Sequence, residues 1–335
     1  MSEHTPGAPT PPDVANEPTP GAAPVHPHAH KQPRTIDRAA DSIERKREAN
    51  DVARAQGELR SQRARSATER LMTRTLSGIA YTFVVLICLF WGQWPTAILM
   101  AAMAWQSCSE LFRIARMLGR YPAEFAGLAA AAAFPLAAML SPQANDAVLL
   151  VLVLCVCVWY VFTTRASVAD VAISIFAPVY TGFMLAAVVT IRLYAHGVDG
   201  AMLTLGVMGS VWASDALAYL VGSKLGRHRM APKISPNKSW EGFWGGLVGS
   251  VAVWLILFAW GINGLTWPFA ILCGVLTGIA GVVGDLVESR IKRTAGVKDS
   301  GNFLPGHGGL LDRTDSLLLA SMTALLLLRL GGILS

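Results

Sequence analysis

About nine apolar stretches, each close to twenty residues long, follow one another through most of this 335-residue chain. Roughly 20 helical residues are needed to cross the ~30 Å hydrocarbon core of a bilayer. Within that core each backbone N–H and C=O must find a partner, and for stretches of this length the helix is the form that supplies them. The stretches fall near 75–92, 94–113, 122–140, 146–163, 170–192, 201–222, 241–260, 266–287 and 314–332. They predict an all-α, polytopic integral membrane protein with about nine transmembrane helices. Composition agrees, with 53% apolar and 15% charged residues against roughly 45–50% and about 25% in soluble domains.

The charges orient the chain. Basic residues collect in cytoplasmic loops, and the segment before the first apolar stretch is strongly basic, so the N-terminus is expected in the cytoplasm. Alternation then puts Arg113, Arg116 and Arg120 inside, followed by Arg165, the 224–238 loop and the 290–313 segment. The opposite loops near 141–146 and 261–266 contain no Lys or Arg, and Arg192 is the one exception. The expected location is therefore the cytoplasmic membrane, with both polar loops on its inner face. The formal charge of +6 gives no case for nucleic acid, because no basic run is interleaved with stacking aromatics.

Two units are expected: a cytoplasmic tail over 1–72 and a transmembrane domain over 73–335. Residues 1 to about 35 are rich in Pro, Ala, Thr and His, too poor in bulky apolar side chains to offset chain entropy, and read as disordered. Residues 36–72 are densely charged and read as a solvated, partly helical segment near anionic headgroups. The five cysteines, Cys88, Cys108, Cys155, Cys157 and Cys273, all lie in apolar stretches and read as reduced packing residues.

Two constellations carry chemistry. In the first, Asp215 lies inside an apolar stretch, where an ionised carboxylate is costly and marks a functional candidate. Tyr219 and Gly222 share its helical face. The loop that follows holds Lys224, Arg227, Arg229, Lys233 and Lys238 with no acid, and runs into Ser239-Trp240-Glu241-Gly242. In the second, Asp285, Glu288 and Ser289 share one face at the end of a stretch. Arg290, Lys292 and Arg293 follow, then Lys298-Asp299, Pro305-Gly306-His307-Gly308-Gly309 and Asp312-Arg313-Thr314-Asp315. Glycine-rich backbone can cradle phosphate oxygens, and hard carboxylate ligands beside phosphates suit magnesium. Asp312 also stands where a helix-capping aspartate would, and His307 could serve the turn or acid–base chemistry.

The run Ser289–Asp315 resembles the signature of the phosphatidate cytidylyltransferases, also called CDP-diacylglycerol synthases. The stretch from Asp215 to Gly242 is similar to that family's second block, with Ser239 where threonine is usual. The resemblance implies an integral-membrane transferase that joins CTP to phosphatidate in phospholipid biosynthesis, giving CDP-diacylglycerol and pyrophosphate. It implies a magnesium requirement, a paired-metal site at Asp285 and Asp312, and potassium as the second metal. Lys298, Asp299, Arg313, Asp315 and His307 are expected to join Asp285 and Asp312 in catalysis. Asp215, Lys238, Ser239, Ser289, Lys292 and Arg293 are expected to bind substrate. Membrane lipids are expected neighbours, and a homodimer is one form that multi-span transferases take. Two other readings stand beside this one: transfer to another lipid phosphate or polyprenyl acceptor, and a cation transporter using Asp215, Asp285 and Asp312. No internal repeat of the kind common in transporters pairs the halves.

Overall fold

A computed structural model describes residues 72, 75–301 and 308–334. The expectations for the N-terminal tail lie outside the described residues. The helices are α1 (Thr75–Trp91), α2 (Gln93–Met117), α3 (Glu124–Ala138), α4 (Pro142–Phe162), α5 (Val168–Pro178), α6 (Met184–Arg192), α7 (Val198–Leu225), α8 (Trp240–Trp260), α9 (Trp267–Thr294) and α10 (Leu311–Leu330). A π-helical turn, Val179–Phe183, joins α5 to α6. Each expected apolar stretch is thus helical. Among the described residues, five helices are long and apolar enough to cross a membrane: α4, the continuous Val168–Arg192 helix, α7, α8 and α9. The chain is a predominantly helical membrane protein. The count of nine spans is not reached on length and apolarity. α1 and α3 are shorter, while α2 carries Glu110, Arg113 and Arg116, and α10 carries Asp312, Arg313, Asp315 and Arg329.

Tryptophans stand exposed at helix ends. Trp91, Trp94, Trp260 and Trp267 mark one end of the bundle, and Trp240 and Trp244 the other. Their amphipathic rings suit the headgroup level. Cys108 and Cys273 are buried as expected, but Cys155 and Cys157 are exposed. The reason is that α4 buries only Leu152 and Val156, so most of its surface faces away from the protein.

The all-α expectation needs one correction. The basic loop after α7 forms a two-stranded antiparallel hairpin, β1 (Arg229–Ala231) with β2 (Ser235–Ser239), registered through Arg229 opposite Ser239 and Ala231 opposite Ser235. Arg192 is also explained. It is 1% exposed, and its guanidinium donates to the Leu89 carbonyl (3.0 Å) and the Ala195 carbonyl (3.1 Å). A buried guanidinium spent on backbone carbonyls is not a loop charge, so it falls outside the basic-loop rule.

Helices in lipid gain no hydrophobic drive from meeting one another, so close backbone packing must hold them. On α8, a Cβ on Gly245 would meet the Val221 side chain at 2.7 Å, and one on Gly249 would meet the Ala213 carbonyl at 2.7 Å. The α7–α8 pair therefore touches nearly backbone to backbone. The α9–α10 pair does the same at Gly284, where a Cβ would collide with the Asp315 carbonyl oxygen. That contact sets Asp285 beside the first turns of α10. Gly284→Val should separate the two helices, lowering stability by about 1–3 kcal/mol, the usual cost of overpacking. A thermal melt in detergent checks it, read against Gly209→Val in α7, where a Cβ would meet only Val253 Cγ1 at 3.9 Å.

Candidate active site

The C-terminal part of α7, the hairpin, the start of α8 and α9 enclose a cavity of about 560 Å³. Asp215, Tyr219, Lys238, Ser239 and Asp285 line it, so both sequence constellations share one wall. Lys238 Nζ lies 2.6 Å from Asp285 Oδ2, and the Ser289 hydroxyl donates to Asp285 Oδ1 at 3.1 Å. Asp215, Asp285 and Asp315 lie within electrostatic reach of one another, with Lys238 among them. Three like charges gathered in a partly enclosed space repel, and the local cation offsets that repulsion.

The hairpin aims Lys238. Its strand runs straight into α8, whose N-terminus is capped by the Ser239 hydroxyl accepting from Gly242 N–H at 3.2 Å. Glu241, in the first turn, reaches back across the hairpin. It accepts from Arg227 N–H (3.1 Å) and His228 N–H (3.3 Å), and lies 2.6 Å from His228 Nδ1. Arg293 Nε donates to the Ile234 carbonyl at 3.3 Å, tying the hairpin turn to the end of α9.

A second cluster lies further along α9. Lys292 Nζ is 2.6 Å from both Glu288 Oε2 and Asp312 Oδ1. Glu288 is fully buried, its carboxylate faces both Lys292 and the Asp312 carboxylate, and among the described residues no backbone N–H donates to it. Asp312 is better served: Oδ2 accepts from Gly309 N–H (2.8 Å) and Ser300 N–H (3.1 Å).

The loop leading into α10 is held by α2. Glu110 is 4% exposed and accepts from Leu310 N–H (2.9 Å), Leu311 N–H (2.9 Å) and the Ser300 hydroxyl (2.7 Å). Those two amides belong to the N-terminal turn of α10, whose first N–H groups have no partner within the helix. Arg113 donates to the Ser300 carbonyl. A Cβ on Gly301 would meet Glu110 Oε1 at 2.6 Å, so a larger residue there would push the carboxylate off the loop it holds.

The comparisons with known proteins fall on this same region. A model described as the cytidylyltransferase family matches residues 72–330. The chain belongs to that family. A phosphatidate cytidylyltransferase of Synechocystis is 33% identical over 278 residues, spanning 74% of this chain and 92% of the relative. One from Bacillus subtilis is 34% identical over 261 residues, 75% of this chain and 93% of the relative. One from Mycobacterium bovis is 44% identical over 140 residues, 39% of this chain and 45% of the relative.

Within this cytidylyltransferase the expected site residues divide into groups. Asp215, Lys238, Ser239 and Asp285 meet at the cavity, with Ser289 bonded to Asp285. Lys292 and Asp312 form the adjoining pair. Asp315 lies near Asp285, and Arg313 lies within electrostatic reach of Asp215. Arg293 turns to the hairpin and the Val297 carbonyl. Lys298 and Asp299 stand exposed in the loop after α9 and do not line the cavity. His307 lies outside the described residues. Sequence reasoning missed Glu110, although an acid inside an apolar stretch was the signal that found Asp215 and Asp285. Glu110→Ala should strand two buried N–H groups, at about 1–3 kcal/mol each. Its signature is a lower melting temperature together with faster amide exchange at Leu310 and Leu311.

Proposed function

We infer that this chain is a phosphatidate cytidylyltransferase, moving CMP from CTP to phosphatidate and releasing pyrophosphate. One observation carries the reading: the two motif-bearing segments wall a single cavity, and Lys238 meets Asp285 within it. It does so in a chain whose relatives of that name align over nine-tenths of their length.

In this reaction a phosphate oxygen of phosphatidate attacks the α-phosphorus of CTP. The new P–O bond forms as the bond to the β-phosphate breaks, and the electron pair leaves with pyrophosphate. A phosphate monoester is largely ionised near neutral pH, its second pKa being about 6, so the nucleophile needs no strong base. The protein's task is to bring two anions together and hold them in line. Lys238 supports a role at the nucleotide phosphates, being the cation at the cavity wall. Lys292 and Arg313 supply positive charge nearby, balancing Asp312 and Asp215.

The donor chemistry suits magnesium. The acidic groups here are carboxylates, hard oxygen donors, and magnesium binds through one or two of these plus substrate phosphates. Among the described residues no three acidic, histidine or cysteine side chains form a ready-made metal cage, consistent with a metal that shares its ligands with the nucleotide. Asp285 and Asp312 would hold the ion, with potassium as a second metal in the same proposal. When bound, the ion would neutralise phosphate charge in the transition state. The basic loops support an orientation with the cavity at the cytoplasmic side, where soluble CTP and a membrane lipid can meet.

The test is turnover by detergent-purified protein with CTP, phosphatidate and magnesium, quantifying the lipid product and pyrophosphate. Wild type should produce both, and chelation by EDTA should stop the reaction. Asp285→Asn should abolish turnover while the melting temperature stays near wild type. Failure of wild type to form product from phosphatidate, with product from another lipid phosphate, would reassign the acceptor. Lys238→Ala should raise KM for CTP by about 10- to 100-fold, the worth of one hydrogen bond between charged groups. An unchanged KM would remove Lys238 from the nucleotide site.

A further inference from the structure

The π-helical turn between α5 and α6 carries a buried tyrosine whose hydroxyl meets no hydrogen-bond partner among the described residues. Tyr180 occupies Val179–Phe183, just after Pro178, whose missing N–H weakens the α-helical ladder there. The turn is pinned from both sides. The Thr181 hydroxyl donates to the Ala177 carbonyl at 2.8 Å, and a Cβ on Gly182 would sit 2.6 Å from Ala131 Cα of α3. Single π turns inside α-helices occur often at functional sites. The Tyr180 side chain is 3% exposed and stacks on Phe176 with ring centroids 5.2 Å apart. Among the described residues its hydroxyl has no hydrogen-bond partner.

A buried hydroxyl without a partner costs about 1–3 kcal/mol, and phenylalanine would stack equally well without that cost. The surroundings give the hydroxyl a use. Tyr180 packs in one buried cluster with Leu311 and Leu317 of α10, against which Val287 of α9 also packs, and this brings it within electrostatic reach of Asp315, Glu288 and Asp285. Among the described residues, Asp315 accepts a hydrogen bond from its neighbour, the Ser316 N–H, at 2.6 Å. A lysine in place of Tyr180 would be captured in an ion pair, as Lys238 and Lys292 are by Asp285 and Asp312. A neutral O–H can stay uncommitted beside the same carboxylates and still donate when one of them turns toward it.

We propose that Tyr180 is a positioning residue of the transferase site, its hydroxyl reserved as the hydrogen-bond donor that orients the Asp315 carboxylate during turnover. The role rests on the reaction inferred above. The test is Tyr180→Phe, which removes one oxygen and keeps the stacked ring. A packing role for the hydroxyl would lower the melting temperature and leave kcat alone. A positioning role gives the opposite pattern. The variant's kcat should fall by about 10-fold or more, as expected for a lost hydrogen bond to a charged group. The KM values for CTP and for phosphatidate should stay within about twofold, and the melting temperature should be unchanged or higher, since an unsatisfied group has been removed.

Wild-type kcat in Tyr180→Phe overturns the proposal. A kcat loss accompanied by a lowered melting temperature overturns it too, because the hydroxyl would then be holding the fold. A raised KM for only one substrate also overturns it, moving the hydroxyl to that substrate's phosphate. Wild type run in the same assay separates this inference from the reaction itself. No product from wild type defeats the reaction, whereas active wild type with an equally active variant defeats only the tyrosine.

Discussion

Carboxylates held inside an apolar bundle repel one another, and the arrangement of this protein follows from how that repulsion is met. Asp215, Asp285 and Asp315 share one electrostatic neighbourhood, with Glu288 and Asp312 clustered around Lys292. Placing such charges in lipid costs several kcal/mol at the least. Two lysines offset it, one from each constellation. Each must arrive at a fixed place, and a different device brings it there: a β-hairpin for Lys238 and helical spacing along α9 for Lys292.

Those devices work only if the helices approach closely. The glycines of α8 let α7 come near backbone contact, and Gly284 does the same for α9 and α10. A larger residue in either seam would move a whole helix and the charged groups it carries. Packing and electrostatics are therefore one problem here. The same glycines that substitute for a hydrophobic drive between helices set the spacing of the charges.

Much of this was legible in the sequence because membrane insertion constrains it so tightly. Apolar stretches became helices within a few residues of their expected ends, apart from α9, which runs on to Thr294. Asp215 and Asp285 stood out as carboxylates lying where apolar residues belong, while Lys238 came from the basic loop between them. What escaped depended on tertiary contact. The hairpin escaped because a five-residue β2 strand reading Ser-Pro-Asn-Lys-Ser has no alternating apolar pattern to announce it. Arg192 looked like a misplaced loop charge because its carbonyl partners, Leu89 and Ala195, could not be seen. Tyr180 gave no signal at all, since a tyrosine in an apolar stretch is ordinary and only the structure leaves its hydroxyl without a partner among the described residues.

Glu110 has a consequence for how such chains are read. It belongs to α2, roughly 190 residues before the loop it holds, and it carries none of the signature. Ser300, Gly309 and Asp312 keep their mutual geometry because a distant acid anchors the amides between them. A homologue could preserve every letter of the signature and still lose its shape through one change in the second helix. Motif completeness is then a statement about spelling, and competence is decided by an element that the motif never mentions.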